Sequence, residues 1–173
     1  DRAKAALVGL QSDEYGGGAP ERVHATLFAK GMEAAGLDAS YGAYLERLPA
    51  ITLATVNVMS MCGLHRRLRG AIVGHLAVFE MTSSLPNRRY GNALRRLGLG
   101  ADALDFFDEH VEADAVHESI AAWDMANRLS LDEPGLRDDI LFGARGLLAV
   151  EEAWSRHMLD AWAAGRSSLR ECG

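Results

Sequence analysis

Helical periodicity runs through nearly the whole chain, and this feature most restricts what the chain can fold into. Apolar side chains recur at three- and four-residue intervals. Alternating stretches rich in Val, Ile and Thr, which are typical of strands, are almost absent. The length of 173 residues suits one domain. We therefore expect residues 1–173 to form a single all-α domain, a bundle of six or seven helices.

Glycine and proline divide the chain into its helices. A first helix ends near residue 11, and three glycines followed by Pro20 then break the chain. Pro49 is expected to kink or break the helix that contains it, and Pro86 to end another. The further helices are predicted over about 20–35, 39–62, 64–84, 87–98, 101–129 and 136–165.

Composition excludes several classes of function. Acidic residues outnumber basic ones by 24 to 18, whereas a nucleic-acid binder shows a basic face. No run of 18 apolar residues occurs, so no transmembrane helix is implied. The two cysteines, Cys62 and Cys172, form no disulfide framework and suggest a reducing compartment. We expect a cytoplasmic protein without nucleic-acid or membrane partners.

The most informative stretch holds two histidines and an aspartate in one helix. His110, Asp114 and His117 are spaced by four and three residues. At about 100° per residue, Asp114 lies about 40° from His110, and His117 about 20° on the other side. The three side chains therefore share one stripe. Such a set fits a first-row transition metal, although a solvated polar face is the alternative.

Other helices offer further ligands for a metal. His24 follows Pro20 by four residues, and Glu14 and Glu21 flank the glycine break. Glu80 stands in an apolar setting, where a carboxylate is costly unless it is paired or bound to metal. Three carboxylates and three imidazoles from three helices match the inventory of a two-metal carboxylate site.

This ordered set resembles the haem-oxygenase-like diiron oxidases and oxygenases, a family often labelled iron-containing redox enzymes. The family takes Glu and His from a first core helix, Glu from a second, and His-x-x-x-Asp-x-x-His from a third. The resemblance covers about residues 12–120. It implies a haem-oxygenase-like bundle and iron ligation by Glu14, His24, Glu80, His110, Asp114 and His117.

Some details of the implied site stay open. Either Glu80 or Glu14 would bridge the two metals, and Glu21 is the substitute if Glu14 is not the first carboxylate ligand. Glu14 and His24 are ten residues apart, so on one continuous helix they would point about 80° apart. The glycine break offers a correction. The chain is short for the family, so we expect that N-terminal helices of a longer protein are missing.

The resemblance also implies the activity. Members use two iron ions (Fe2+/Fe3+) and O2 to oxidise small organic molecules, often in natural-product metabolism. The implied reactions are N-oxygenation, or oxidative C–C cleavage, of an amine, amino acid or fatty acid. A small-molecule substrate is the expected partner, and a homodimer is left open.

Two other interpretations compete with this one. A ferritin-like diiron carboxylate protein would use Glu21-x-x-His24 and Asp114-x-x-His117, but it would leave His110 without a role. A metal-free protein on the same helical scaffold would need none of these ligands.

A few residues are weaker candidates for the site. Arg95 and Arg96 could hold a substrate carboxylate. Asp124 lies seven residues beyond His117 and could orient a ligand histidine, and Tyr15 could reach the metals. Solvated or packing roles are the alternatives for all four.

Overall fold

The structure, a computed structural model, describes residues 1–171, except for the side chains of Glu112, Asp114 and Ala115. This part of the chain contains seven α-helices and no strand, which confirms the predicted all-α bundle. The helices are α1 (Arg2–Glu14), α2 (His24–Ala34), α3 (Ala50–Leu64), α4 (Arg69–Arg96), α5 (Asp105–Ser119), α6 (Arg128–Asp132) and α7 (Arg137–Ala163). Within residues 1–171, no helix combines the length and the apolar character needed to cross a membrane.

Helix α4 is the central helix of the bundle, packed against α3, α5 and α7. Its first turns hold small residues that allow α7 to approach closely. A Cβ added at Gly74 would lie 1.8 Å from the carbonyl oxygen of Ile140, and one added at Gly143 would lie 1.8 Å from that of Ala71. The main chains of α4 and α7 therefore touch, which holds α4 in a defined position relative to the bundle.

The predicted break at Pro86 is wrong, because α4 continues through it to Arg96. A proline inside a helix frees the carbonyl four residues earlier, here that of Thr82. Both Thr82 and Pro86 are exposed, so water can hydrogen-bond the freed group. Residues 69–96 are thus one helix rather than two.

The helix predicted over 39–62 is also wrong in its first half. Turns and a short 3-10 turn, Leu45–Arg47, precede Pro49, and α3 begins only at Ala50. Leu48 has an extended conformation with ψ of 131°, as expected for a residue before proline. Likewise α2 begins at His24 rather than Pro20, because Val23 is extended, with ψ of 127°.

The long helix predicted over 101–129 is present only from Asp105, and its hydrogen-bond pattern changes from α to π and back along its length. A 3-10 turn covers Ala101–Ala103, and α5 begins at Asp105. A π-helical segment, Ile120–Asn127, then joins α5 to α6 and packs against α1. Wide π turns are rare and often lie beside functional sites. Here the segment starts three residues after His117.

Candidate metal centre

The chain returns sharply after α1, and this return brings Glu14 and His24 together. Glu14 is the last residue of α1, and the 3-10 turn Pro20–Arg22 precedes α2. Gly16 has φ of +65°, and a Cβ there would lie 2.6 Å from the carbonyl carbon of Arg22, so this return requires glycine. Oε2 of Glu14 then lies 2.9 Å from Nδ1 of His24.

Glu14, His24 and His110 form the first cluster of ligand-type atoms. One such atom from each residue lies within 4.8 Å of the others. The rings of His24 and His110 are 4.3 Å apart between centroids. Nδ1 of His110 lies 2.6 Å from the carbonyl oxygen of Phe106. A carbonyl can only accept, so Nδ1 carries the proton and Nε2 keeps the lone pair that a metal requires.

Glu14, Glu80 and His117 form the second cluster, by the same distance criterion. Glu80 and His117 are buried, with 6% and 2% of their surfaces exposed. Nδ1 of His117 lies 3.4 Å from Oε2 of Glu80. The two clusters share the Glu14 carboxylate, so the structure places it between two sets of ligands.

Asp13 contacts the second cluster, which the sequence did not reveal. Its Oδ2 lies 3.0 Å from Nε2 of His117, on the side of the ring away from Glu80. Carboxylates in this position orient ligand histidines and make them better donors to a metal. Its place beside Glu14 is the only hint in the sequence, because exposed aspartates near helix ends are common.

The carboxylates around His117 change its protonation. The Glu80 carboxylate contributes most, burial opposes it, and Asp13 adds to the effect of Glu80. Together they raise the pKa of His117 to about 9. Without a metal, this imidazole is therefore protonated at neutral pH and balances the buried charge of Glu80.

The donor set fits a pair of metal ions such as iron. Carboxylate oxygens together with imidazole nitrogens are ligands that iron accepts. Nδ1 of His24 is buried and, although Oε2 of Glu14 lies 2.9 Å away, the two atoms are not aligned for a hydrogen bond. A cation held by this nitrogen and the Glu14 carboxylate would satisfy both groups.

The remaining predicted residues do not belong to the two clusters, or their side chains lie outside the described part of the chain. Glu21 is exposed in the 3-10 turn, and Tyr15 is 61% exposed at the end of α1. Asp124 is exposed in the π-helical segment and belongs to neither cluster. The side chain of Asp114 lies outside the described residues, although its place on α5 between His110 and His117 is clear.

The two arginines suggested for substrate binding are on the surface. Arg95 forms an ion pair with Asp108, with Nη2 2.5 Å from Oδ2, and so links α4 to α5. Arg96 is exposed at the end of α4. Neither is part of the two clusters.

A cavity of about 380 Å³ lies beside the two clusters. His24 and His117, one from each cluster, contribute to its wall together with Asp13. Arg22 and Glu109 form an ion pair at its edge, with 2.6 Å between the charged atoms. One cavity therefore borders a histidine of each cluster.

Comparison with known proteins agrees with this geometry. No curated protein matches the chain. A family model described as iron-containing redox enzyme matches residues 1–152, which include every residue of both clusters. The match confirms the haem-oxygenase-like bundle expected from the ordered Glu and His residues. The chain therefore belongs to the iron-containing redox enzyme family.

Proposed function

We propose that this protein is a non-haem diiron oxidase or oxygenase, which uses O2 to oxidise a small organic substrate in the cytoplasm. The observation that supports this most is the shared position of Glu14, which belongs to both clusters. A carboxylate between two sets of nitrogen and oxygen donors is the arrangement that a two-metal site needs. An N-oxygenation or an oxidative C–C cleavage is the proposed type of reaction.

Each ligand has a proposed role. Glu14, His24 and His110 would hold one iron ion, and Glu14, Glu80 and His117 the other. Asp114, on the same stripe of α5, is proposed as a further ligand. Two ferrous ions would supply the electrons for the reduction of O2.

The protein's own groups prepare the centre for this chemistry. The carbonyl of Phe106 fixes the tautomer of His110, and Asp13 holds the Nε2 proton of His117. The buried environment of Glu80 keeps bulk water from this side of the centre. Both contacts orient a candidate ligand ring, which lowers the rearrangement that metal binding requires.

Two alternatives are less well supported. In the ferritin-like arrangement Glu21 would be a ligand, but it is exposed and belongs to neither cluster. A metal-free protein on this scaffold would have no use for three carboxyl groups and three histidines gathered as closely as Glu14, Glu80, His24, His110, His117 and Asp13 are.

Anaerobic loading with Fe(II) tests the proposal. We expect about two iron ions per chain, and iron-dependent O2 consumption once air is admitted. His110→Ala should lose iron, whereas His65→Ala should not. His65 is a matched control, because its Nδ1 also hydrogen-bonds the carbonyl four residues earlier but the ring is exposed and outside both clusters. Equal iron content in the two variants would refute the proposed ligand set.

Metal binding should release a proton from His117. Its raised pKa of about 9 means that Nδ1, the nitrogen that faces Glu80, must lose a proton before the ring can ligate at neutral pH. Apparent metal affinity should therefore increase with pH and level off above about 9. Calorimetric titrations in buffers of different ionisation enthalpy measure this, and we expect about one proton released per chain from this ring. A heat of binding that is independent of the buffer would contradict the assignment.

A further inference from the structure

A groove distinct from the cavity described above lies between α3, α4 and α7. Its volume is about 470 Å³, within the range of small-molecule sites. The rings of Phe79, Tyr90 and Trp154 form much of its wall, and Leu147 and Leu148 add aliphatic surface. Such a groove favours a ligand with an apolar body.

Two threonine hydroxyl groups in the groove, those of Thr55 and Thr82, offer acceptors rather than donors. Oγ1 of Thr55 donates to the carbonyl of Thr52 at 2.8 Å, and Oγ1 of Thr82 donates to that of Val78 at 2.7 Å. A hydroxyl has one proton and two lone pairs, so both groups have lone pairs left for a ligand. These two groups favour a ligand that donates hydrogen bonds, whereas Oγ1 of Thr52 accepts from Nε1 of Trp154 at 3.1 Å and keeps its own proton.

Glu151 is the charged residue among those that line the groove. It is half-buried on α7, and burial raises the pKa of its carboxyl group. No ion pair or hydrogen bond to Glu151 occurs within the described part of the chain, and none of the lining residues is Lys or Arg. The neighbouring Glu152, by contrast, is exposed and pairs with Arg156.

The groove runs along the face of α4 adjacent to the face that carries Glu80. At about 100° per residue, Ser83 and Asn87 lie within about 60° of Glu80 around the helix. Both residues line the groove, and Oγ of Ser83 donates to the carbonyl of Glu80 at 3.1 Å. A molecule in the groove would thus lie one or two helical turns along α4 from a candidate metal ligand.

We propose that this groove binds a small organic cation, an alkyl- or arylammonium whose positive group lies on Glu151 and whose apolar body packs on the aromatic wall. An ammonium donates three hydrogen bonds and accepts none, which matches the carboxylate and the threonine hydroxyls. A carboxylate ligand such as a fatty acid would be repelled by Glu151. That the bound amine is the substrate of the metal centre rests on the proposed function, whereas its binding does not.

Calorimetry on the metal-free protein tests the groove separately from the iron chemistry. The probes are 2-phenylethylamine, 2-phenylethanol and 3-phenylpropionate, which share an aromatic body and differ in charge. We expect the amine to bind roughly tenfold to a hundredfold more tightly than the alcohol, and the carboxylate to bind most weakly. Glu151→Gln should remove the preference for the amine, whereas Glu152→Gln should keep it.

The outcomes separate this proposal from the proposed function. Glu151→Gln replaces a half-buried carboxyl group with a neutral one of the same shape, so we expect it to fold, as circular dichroism can verify. Equal binding of amine and alcohol, or an unchanged preference in Glu151→Gln, would overturn the cation site even if two irons bind. Amine binding in a protein that takes up no iron would instead support the groove and reject the diiron proposal.

Discussion

Glu14→Ala should abolish iron binding at both clusters, because its carboxylate belongs to each of them. Mutation of a residue that only hydrogen-bonds a metal ligand lowers metal affinity by about 10- to 100-fold. Loss of a shared ligand should lower it by at least about 100-fold at both positions. The measurement is the iron content of anaerobically loaded and desalted protein, for which we expect close to no bound iron.

Two variants serve as controls for Glu14→Ala. Glu21→Ala removes an exposed glutamate from the same segment and should leave iron content unchanged. His24→Ala affects only the first cluster and should mainly lower occupancy there. If Glu14→Ala still binds two iron ions, Glu14 is not the shared ligand and the arrangement of the centre is wrong.

Gly143→Ala should destabilise the fold strongly. The added methyl group would lie 1.8 Å from the carbonyl oxygen of Ala71, so α7 and α4 must move apart. Overpacking of a core by small groups costs about 1–3 kcal/mol, and here the obstacle is main chain that cannot rotate away. We therefore expect a loss of at least about 3 kcal/mol, measured by urea unfolding of the metal-free protein.

Gly146→Ala is the matched control in the same helix. No atom outside its immediate neighbours lies within 4 Å of a Cβ at this position. Alanine is the better helix former, so this variant should gain about 0.5–1 kcal/mol. Equal stability of the two variants would show that α4 and α7 are not in main-chain contact.

The sequence was sufficient to predict the bundle, and five of the residues it singled out as candidate ligands lie in the two clusters. The spacing of His110 and His117 depends only on helical geometry, so it could be interpreted without any knowledge of tertiary packing. Glu80 could be singled out because a carboxylate in an apolar helix needs a partner. The glycine break also indicated how Glu14 and His24 could meet, although only the structure shows the 2.9 Å separation.

Other features depend on tertiary structure and had no local signal. The course of α4 through Pro86 depends on the exposure of that turn, which the sequence does not reveal. The contact between Asp13 and His117 joins residues 104 positions apart. The π-helical winding of Ile120–Asn127 leaves the helical pattern of apolar residues nearly unchanged, so periodicity cannot distinguish it.

The most direct test of the diiron proposal is an anomalous difference map at the iron absorption edge, from crystals of protein loaded with Fe(II) under anaerobic conditions. We expect two peaks, one beside His24 and His110 and one beside Glu80 and His117, with the Glu14 carboxylate in contact with both. A single peak, or iron bound away from Glu14, would contradict the proposed centre.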